Sequence, residues 1–146
     1  MSEAAEAVVL EYYEALERGD PLAPYFLESE STVKFGIGES LFGSETVADA
    51  LRTQTETTTD WTVGSHHLVV EERDGFATFA DEVTIAWTDV DTGEDREFES
   101  RWSGTLVKTE SRREPKPEDV TGSDTDPDAP SWRFATMHVS APRRLE

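Results

Sequence analysis

Apolar positions recur at helical spacing near the start of the chain and alternate with polar ones through its second half. Val9, Tyr12, Tyr13 and Leu16 form one stripe within Ser2 to Arg18, which predicts an amphipathic helix, and Gly19 follows as its terminator. Asp20-Pro21 reads as the cap and first turn of a short second helix carrying Leu22, Tyr25, Phe26 and Leu27 inward. Thr32 to Gly36 is β-branched and aromatic enough for a strand. A glycine-punctuated loop around Leu41 and Phe42 follows, and then a third helix from Ser44 to about Thr57 with Val47, Ala48 and Leu51 on its apolar face.

From there the period changes to two. Trp61 to Arg73, Phe76 to Asp89, Arg96 to Thr109 and Trp132 to Ser140 read as strands. Asp74-Gly75 and Thr92-Gly93 mark the turns between consecutive strands. Helices first and strands afterwards predict an α+β architecture, with three N-terminal helices packed on a mainly antiparallel sheet. Thr109 to Ser131 breaks the pattern. It holds four of the seven prolines, seven acidic residues and only Val120 as a larger aliphatic, so it reads as a mobile acidic loop within a single domain spanning residues 1–146. A lid and a cation site at Asp124, Asp126 and Asp128 are the sharper readings of that loop, but the spacing of a calcium loop is not met.

Charge adds a habitat to this picture. The chain carries 32 Asp+Glu against 13 Lys+Arg, a net charge of −19, and its only lysines are Lys34, Lys108 and Lys116. With 36% hydrophobic residues in periodic segments, disorder is not the explanation for most of the chain. Concentrated salt is: at about 1 M the Debye length is only ~3 Å, so carboxylates crowd a surface with little repulsion. The acidity disfavours nucleic-acid partners, which need clustered Lys and Arg. The absence of cysteine excludes disulfides and thiolate chemistry. Met1 to Ala7 lacks the cationic and apolar regions of a signal peptide, and no run of about 18 apolar residues would span a membrane, so a cytoplasmic location is expected.

Four local motifs occur in a familiar order: Leu16-Glu17-Arg18-Gly19-Asp20, Phe42-Gly43-Ser44, Arg101-Trp102-Ser103-Gly104-Thr105-Leu106, and the closing run from Trp132 to Ser140. In this the chain resembles the SnoaL-like branch of the nuclear transport factor 2-like superfamily, over nearly everything except the acidic loop. The resemblance implies a curved sheet around a conical pocket and a homodimer formed through the sheet's outer face. It covers cyclases, isomerases, kinase association domains and proteins without known activity, so it does not settle function.

Candidate chemistry rests on scarce residues. Strict alternation places Trp132, Phe134, Thr136, His138 and Ser140 on one strand face, so His138 would serve as acid, base or hydrogen-bond donor in the pocket, or as a half-buried or dimer-contact histidine. Arg101, if directed inward, would clamp a carboxylate; otherwise it pairs with Asp81 or Glu82. Of these two acids Asp81 shares its face with Phe79, Val83, Ile85 and Trp87 and is the expected buried one. In the isomerases of this fold a helix tyrosine stands beside a carboxylic acid, and Tyr12 or Tyr13 opposite Asp81 would resemble that layout, although at helical spacing both also suit the core. Glu39 is the only acid between Thr32 and Phe42, where those isomerases carry their base. His66 and His67, adjacent on a strand, cannot share a metal, and neither a metal nor a cofactor is expected. Three functions stay open: a homodimeric binder of a small acid or carbonyl compound through Arg101, Tyr13, Trp102, His138 and Ser140; an isomerase, cyclase or dehydratase using His138 or Asp81; and a dimeric interaction module.

Overall fold

A computed structural model describes residues 4–109 and 131–142. Helix α1 (Ala5–Arg18) turns Val8, Val9, Tyr12, Tyr13 and Leu16 into the core and ends on Gly19 in the left-handed region. Among the described residues only one further α-helix follows, α2 (Ser44–Thr57), so two helices stand where three were expected. The segment after Asp20 makes a single 3-10 turn, Ala23–Tyr25. Asp20 does not cap it: its carboxylate accepts from Arg18 Nε at 2.8 Å instead. Ser44 likewise spends its hydroxyl on the backbone N–H of Ser29 rather than on capping its own helix.

Seven strands form one mixed sheet: β1 (Val33–Gly36), β2 (Glu39–Phe42), β3 (Thr58–Ser65), β4 (Val69–Glu72), β5 (Phe76–Asp89), β6 (Asp95–Lys108) and β7 (Trp132–Ser140). The order is β2-β1-β7-β6-β5-β3, with β4 also on β5. Every pairing is antiparallel except β1 with β7, which aligns Lys34 with Met137 and Phe35 with His138. The predicted loop around Leu41 is therefore half of a hairpin. The predicted strand from Trp61 to Arg73 is two strands, because the His67 N–H leaves the ladder to donate to the Asp81 carboxylate.

The core lies between α1 and the sheet. Tyr12 meets the rings of Phe26 and Phe134 edge-on at 5.8 and 5.2 Å, and Leu106, Trp132, Phe134 and Met137 are fully buried. Along β6 burial alternates cleanly, with Ser100, Trp102 and Leu106 inward and Arg101 and Ser103 outward. Along β7 it does not. Leu106 pairs with Phe134 but Thr105 with Thr136, so Ala135 is an extra residue, a β-bulge. Before the bulge Trp132 and Phe134 are buried; after it Met137 and Val139 are, and His138 is exposed. Beyond Thr109 and Ser131, joined by a 2.8 Å backbone bond, the predicted acidic loop lies outside the described residues, as do Asp124, Asp126 and Asp128.

Candidate functional site

The inner face of the sheet leaves a cavity of about 180 Å³ beside α1, roofed by the β1–β2 hairpin and the junction of α2 with β3. Its apolar wall joins Trp61, Trp87 and Trp102 to Leu16, Ile37, Ile85, Met137 and Val139. Trp61 stacks on Trp87 with ring centroids 4.6 Å apart and planes 20° from parallel, and Trp87 stacks in turn on Phe98. A second bulge, between Thr59 and Thr62 with Asp60 at φ 57°, interrupts β3 immediately beside Trp61. Each indole is oriented by its N–H: Trp61 donates to Thr58 Oγ1 at 2.7 Å, Trp87 to Asp89 at 3.1 Å and Trp102 to the buried Ser100 Oγ at 2.8 Å. Rings held this way have little rotamer freedom left to lose when a ligand arrives.

The polar side of the cavity comes from the hairpin. Lys34 reaches into it with its side chain only 8% exposed, and Nζ lies 3.4 Å from Glu39 Oε1. Burial pushes the Lys34 ammonium below its ordinary range, and the attraction of Glu39 works against that shift. The Tyr12 phenol, also lining the cavity, is pushed upward, first by burial and then by the nearby Glu39 charge. Gly36 makes room for the pair. A Cβ there would stand 2.5 Å from Glu39 Oε1 and 3.3 Å from Lys34 Nζ.

Asp81 is buried, as alternation predicted, and Glu82 is exposed. It accepts from Tyr13 Oη at 2.9 Å, Ser65 Oγ at 2.6 Å and the His67 backbone N–H at 2.9 Å. Burial is the main reason the Tyr13 phenol is raised, with the Asp81 charge adding to it. The tyrosine–aspartate layout expected by resemblance is thus present between Tyr13 and Asp81, but neither residue lines the inner cavity. Of the predicted site residues, Trp102 does line it. Arg101, His138 and Ser140 do not. They lie with Val69, Glu82 and Ser103 along an open hollow of about 530 Å³ that Asp81 and Trp102 also line, so five of the six predicted site residues meet there and Tyr13 does not. Arg101 is there by the ordinary alternation of β6, and His138 because the Ala135 bulge shifts β7 by one residue. His66 and His67 are both exposed, and among the described residues no acidic and histidine cluster could hold a metal ion.

Compared by sequence, the chain matches no protein-family profile and no curated protein. Compared by structure, it overlays an NTF2-like superfamily protein from Salmonella enterica serovar Typhimurium over 98% of this chain and 96% of that one, with TM-score 0.68 and 17% identity. The chain has the nuclear transport factor 2-like fold. A ketosteroid isomerase-like protein from Erwinia carotovora atroseptica aligns with TM-score 0.66 and 17% identity, over 95% of this chain and 94% of that one. A proposed dehydratase of the NTF2-like family from Streptomyces avermitilis aligns at 0.71 with 14% identity, over 95% and 94%. At these identities the likeness carries the fold alone. Within this NTF2-like fold, sequence reasoning missed Lys34, Glu39, Trp61 and Trp87 as cavity residues. One signal was legible: Lys34 stands within Thr32 to Gly36, a short segment otherwise of β-branched, aromatic and small residues. No helix among the described residues is long and apolar enough to cross a membrane.

Proposed function

We propose that this protein binds a small, uncharged organic molecule with a single ring in its inner cavity. The observation that carries the reading is the cavity itself, about 180 Å³ walled by Trp61, Trp87 and Trp102. An apolar protein cavity of about 150 Å³ accommodates benzene, so one ring fits here. Charge argues for neutrality. Lys34 and Glu39 already balance each other, and a bound acid would add an uncompensated buried charge inside a protein of net charge −19. The small acid expected on the strength of Arg101 loses its support, because Arg101 lies outside the cavity. Proton transfer by Tyr13 and Asp81 is disfavoured by their engagement with each other.

The homodimer enters the same proposal. The exposed half of β6 and β7 presents Arg101, His138 and Ser140 beside Val69, which is 54% exposed, on the outer face through which the resemblance implies pairing. On this reading Arg101 and His138 are contact residues rather than ligand hooks.

The test is a fluorescence titration in molar salt. Three of the four tryptophans line the cavity, and Trp132 is buried elsewhere. Phenol, benzyl alcohol and cyclohexanone are expected to change the emission saturably and to raise the melting temperature. Trp61→Ala should abolish both effects, and Arg101→Ala neither. No saturable change with any of the three, or equal loss in both variants, refutes the cavity reading. Sedimentation of the wild type and of His138→Glu checks the dimer, which the added charge should split.

A further inference from the structure

Lys34 differs from an ordinary buried lysine in how loosely its head group is held. Its side chain is 8% exposed, yet its one ion-pair contact among the described residues, Glu39 at 3.4 Å, is longer than the 2.7–2.9 Å of a tight charge-assisted hydrogen bond. Strand β1 holds its stem rigidly, in parallel register with Met137 of β7, which also lines the cavity. The space around the head group is kept open by Gly36, where any side chain would collide with Glu39 and crowd Nζ. So an amine projects into an aromatic cavity, with a half-exposed carboxylate beside it and room for a further small group. Burial makes this ammonium give up its proton more readily than an exposed lysine's does, which frees the electron pair.

We infer that Lys34 is a nucleophilic amine that captures the carbonyl of a small aldehyde or ketone as an imine, with Glu39 relaying the protons. This rests on the cavity reading above and names its substrate class. The Nζ lone pair attacks the carbonyl carbon, a C–N bond forms, the C=O π pair moves to the oxygen, and the oxygen takes a proton from solvent. The nitrogen gives one proton to the Glu39 carboxylate. Glu39 returns it to the departing hydroxyl, water leaves, the nitrogen lone pair completes the C=N bond as an iminium, and the iminium gives its last proton back to solvent. One carbonyl and one amine give one imine and one water, with nothing oxidised or reduced. Glu39 suits the relay because its side chain is 39% exposed and exchanges protons with solvent while touching Nζ.

The experiment uses the full chain, benzaldehyde as probe and cyanoborohydride as the trapping reductant, in molar salt near neutral pH. Peptide mass spectrometry then locates the benzyl group. The chain offers three lysines and its N-terminus, so selectivity is directly countable. The expected result is a benzyl adduct at Lys34 exceeding that at Lys108 or Lys116 by more than about tenfold. The excess should vanish in urea and fall when benzyl alcohol competes. Lys34→Met, and Lys34→Arg as a second variant that keeps the charge, should lose that adduct. Glu39→Gln should slow trapping and flatten its pH profile. Adduct spread evenly over the lysines, or absent from Lys34 while benzyl alcohol still binds, overturns the imine and leaves the cavity reading standing. Failure of the alcohol and the aldehyde alike overturns both.

Discussion

Asp81 offers the sharpest energetic test of the described structure. Its carboxylate is 5% exposed and accepts three hydrogen bonds, from Tyr13, Ser65 and the His67 backbone. Asp81→Asn keeps the volume but not the symmetry of acceptance. The amide oxygen must face the His67 N–H, which uses Oδ1, and the amide NH₂ then takes the place of Oδ2, where the Tyr13 and Ser65 hydroxyls have to turn from donating to accepting and lose their bonds to a charge. A hydrogen bond to a charged group contributes roughly 1.5–3 kcal/mol, so Asn is expected to cost about 2 kcal/mol and Ala about 4 kcal/mol. The larger figure follows because Ala strands the buried Tyr13 hydroxyl, whereas Ser65 and His67 are exposed and can turn to water. For a domain of this size about 2 kcal/mol moves the melting temperature by ~4–8 °C. Urea unfolding in molar salt reads the loss, and a double-mutant cycle with Tyr13→Phe apportions it. Tyr13→Phe should cost about 1–2 kcal/mol in the wild type and much less once Asp81 is Ala. An Asp81→Asn loss under about 0.5 kcal/mol, or equal Tyr13→Phe losses in both backgrounds, would show that the network does not hold the β3–β4 corner to the sheet.

Lys34→Met should leave the protein as stable at neutral pH or up to about 3 kcal/mol more so, because it removes a buried charge and Glu39 can rehydrate. The advantage should shrink as pH rises toward 10.5. The folded state releases the Lys34 proton before the unfolded chain does, so the wild type gains stability across that window, and a widening gap in paired denaturation curves refutes the assignment. Gly104→Ala should cost about 2–3 kcal/mol, since its Cβ would collide with the Thr136 carbonyl and lie 2.9 Å from the Phe79 ring; a neutral result in thermal melts would mean the β6–β7 register is wrong. Unfolding should become easier as salt is withdrawn from this −19 chain, and equal chemical stability in dilute buffer and molar salt would sink the halophilic reading.

The long elements were readable because their signals are periodic and redundant. Phe76 to Asp89 and Trp132 to Ser140 match β5 and β7 residue for residue. The short elements were misread where tertiary contacts override local chemistry. Asp20-Pro21 has the chemistry of a helix start, but Arg18 takes the carboxylate and only one 3-10 turn forms. His66 and His67 sit in a β-rich run, but Asp81, distant in sequence, pulls the His67 N–H out of the ladder. The buried member of the Asp81–Glu82 pair was legible because β5 alternates without interruption. The facing of His138 was not, since nothing about Ala135 in the sequence announces a bulge. Lys34 was passed over because a lysine is by default a surface residue; its place in a short apolar segment was the one sign in the sequence, and the β1–β7 pairing and the space at Gly36 give it its meaning.

The Ala135 bulge also works as a frame marker in β7. Upstream of it, residues with even numbers build the core; downstream, odd ones do. One inserted residue therefore lets a nine-residue strand address two compartments, closing the protein's interior at its start and exposing His138 at its end. Deleting Ala135 would make the Leu106–Phe134 and Thr105–Thr136 pairs consecutive and leave both sets on their present faces. Pairing Ala135 with Thr105 would instead turn His138 and Ser140 toward the tryptophan-bearing chamber and Met137 and Val139 toward solvent, so the chemistry of the chamber depends on one residue staying out of the ladder.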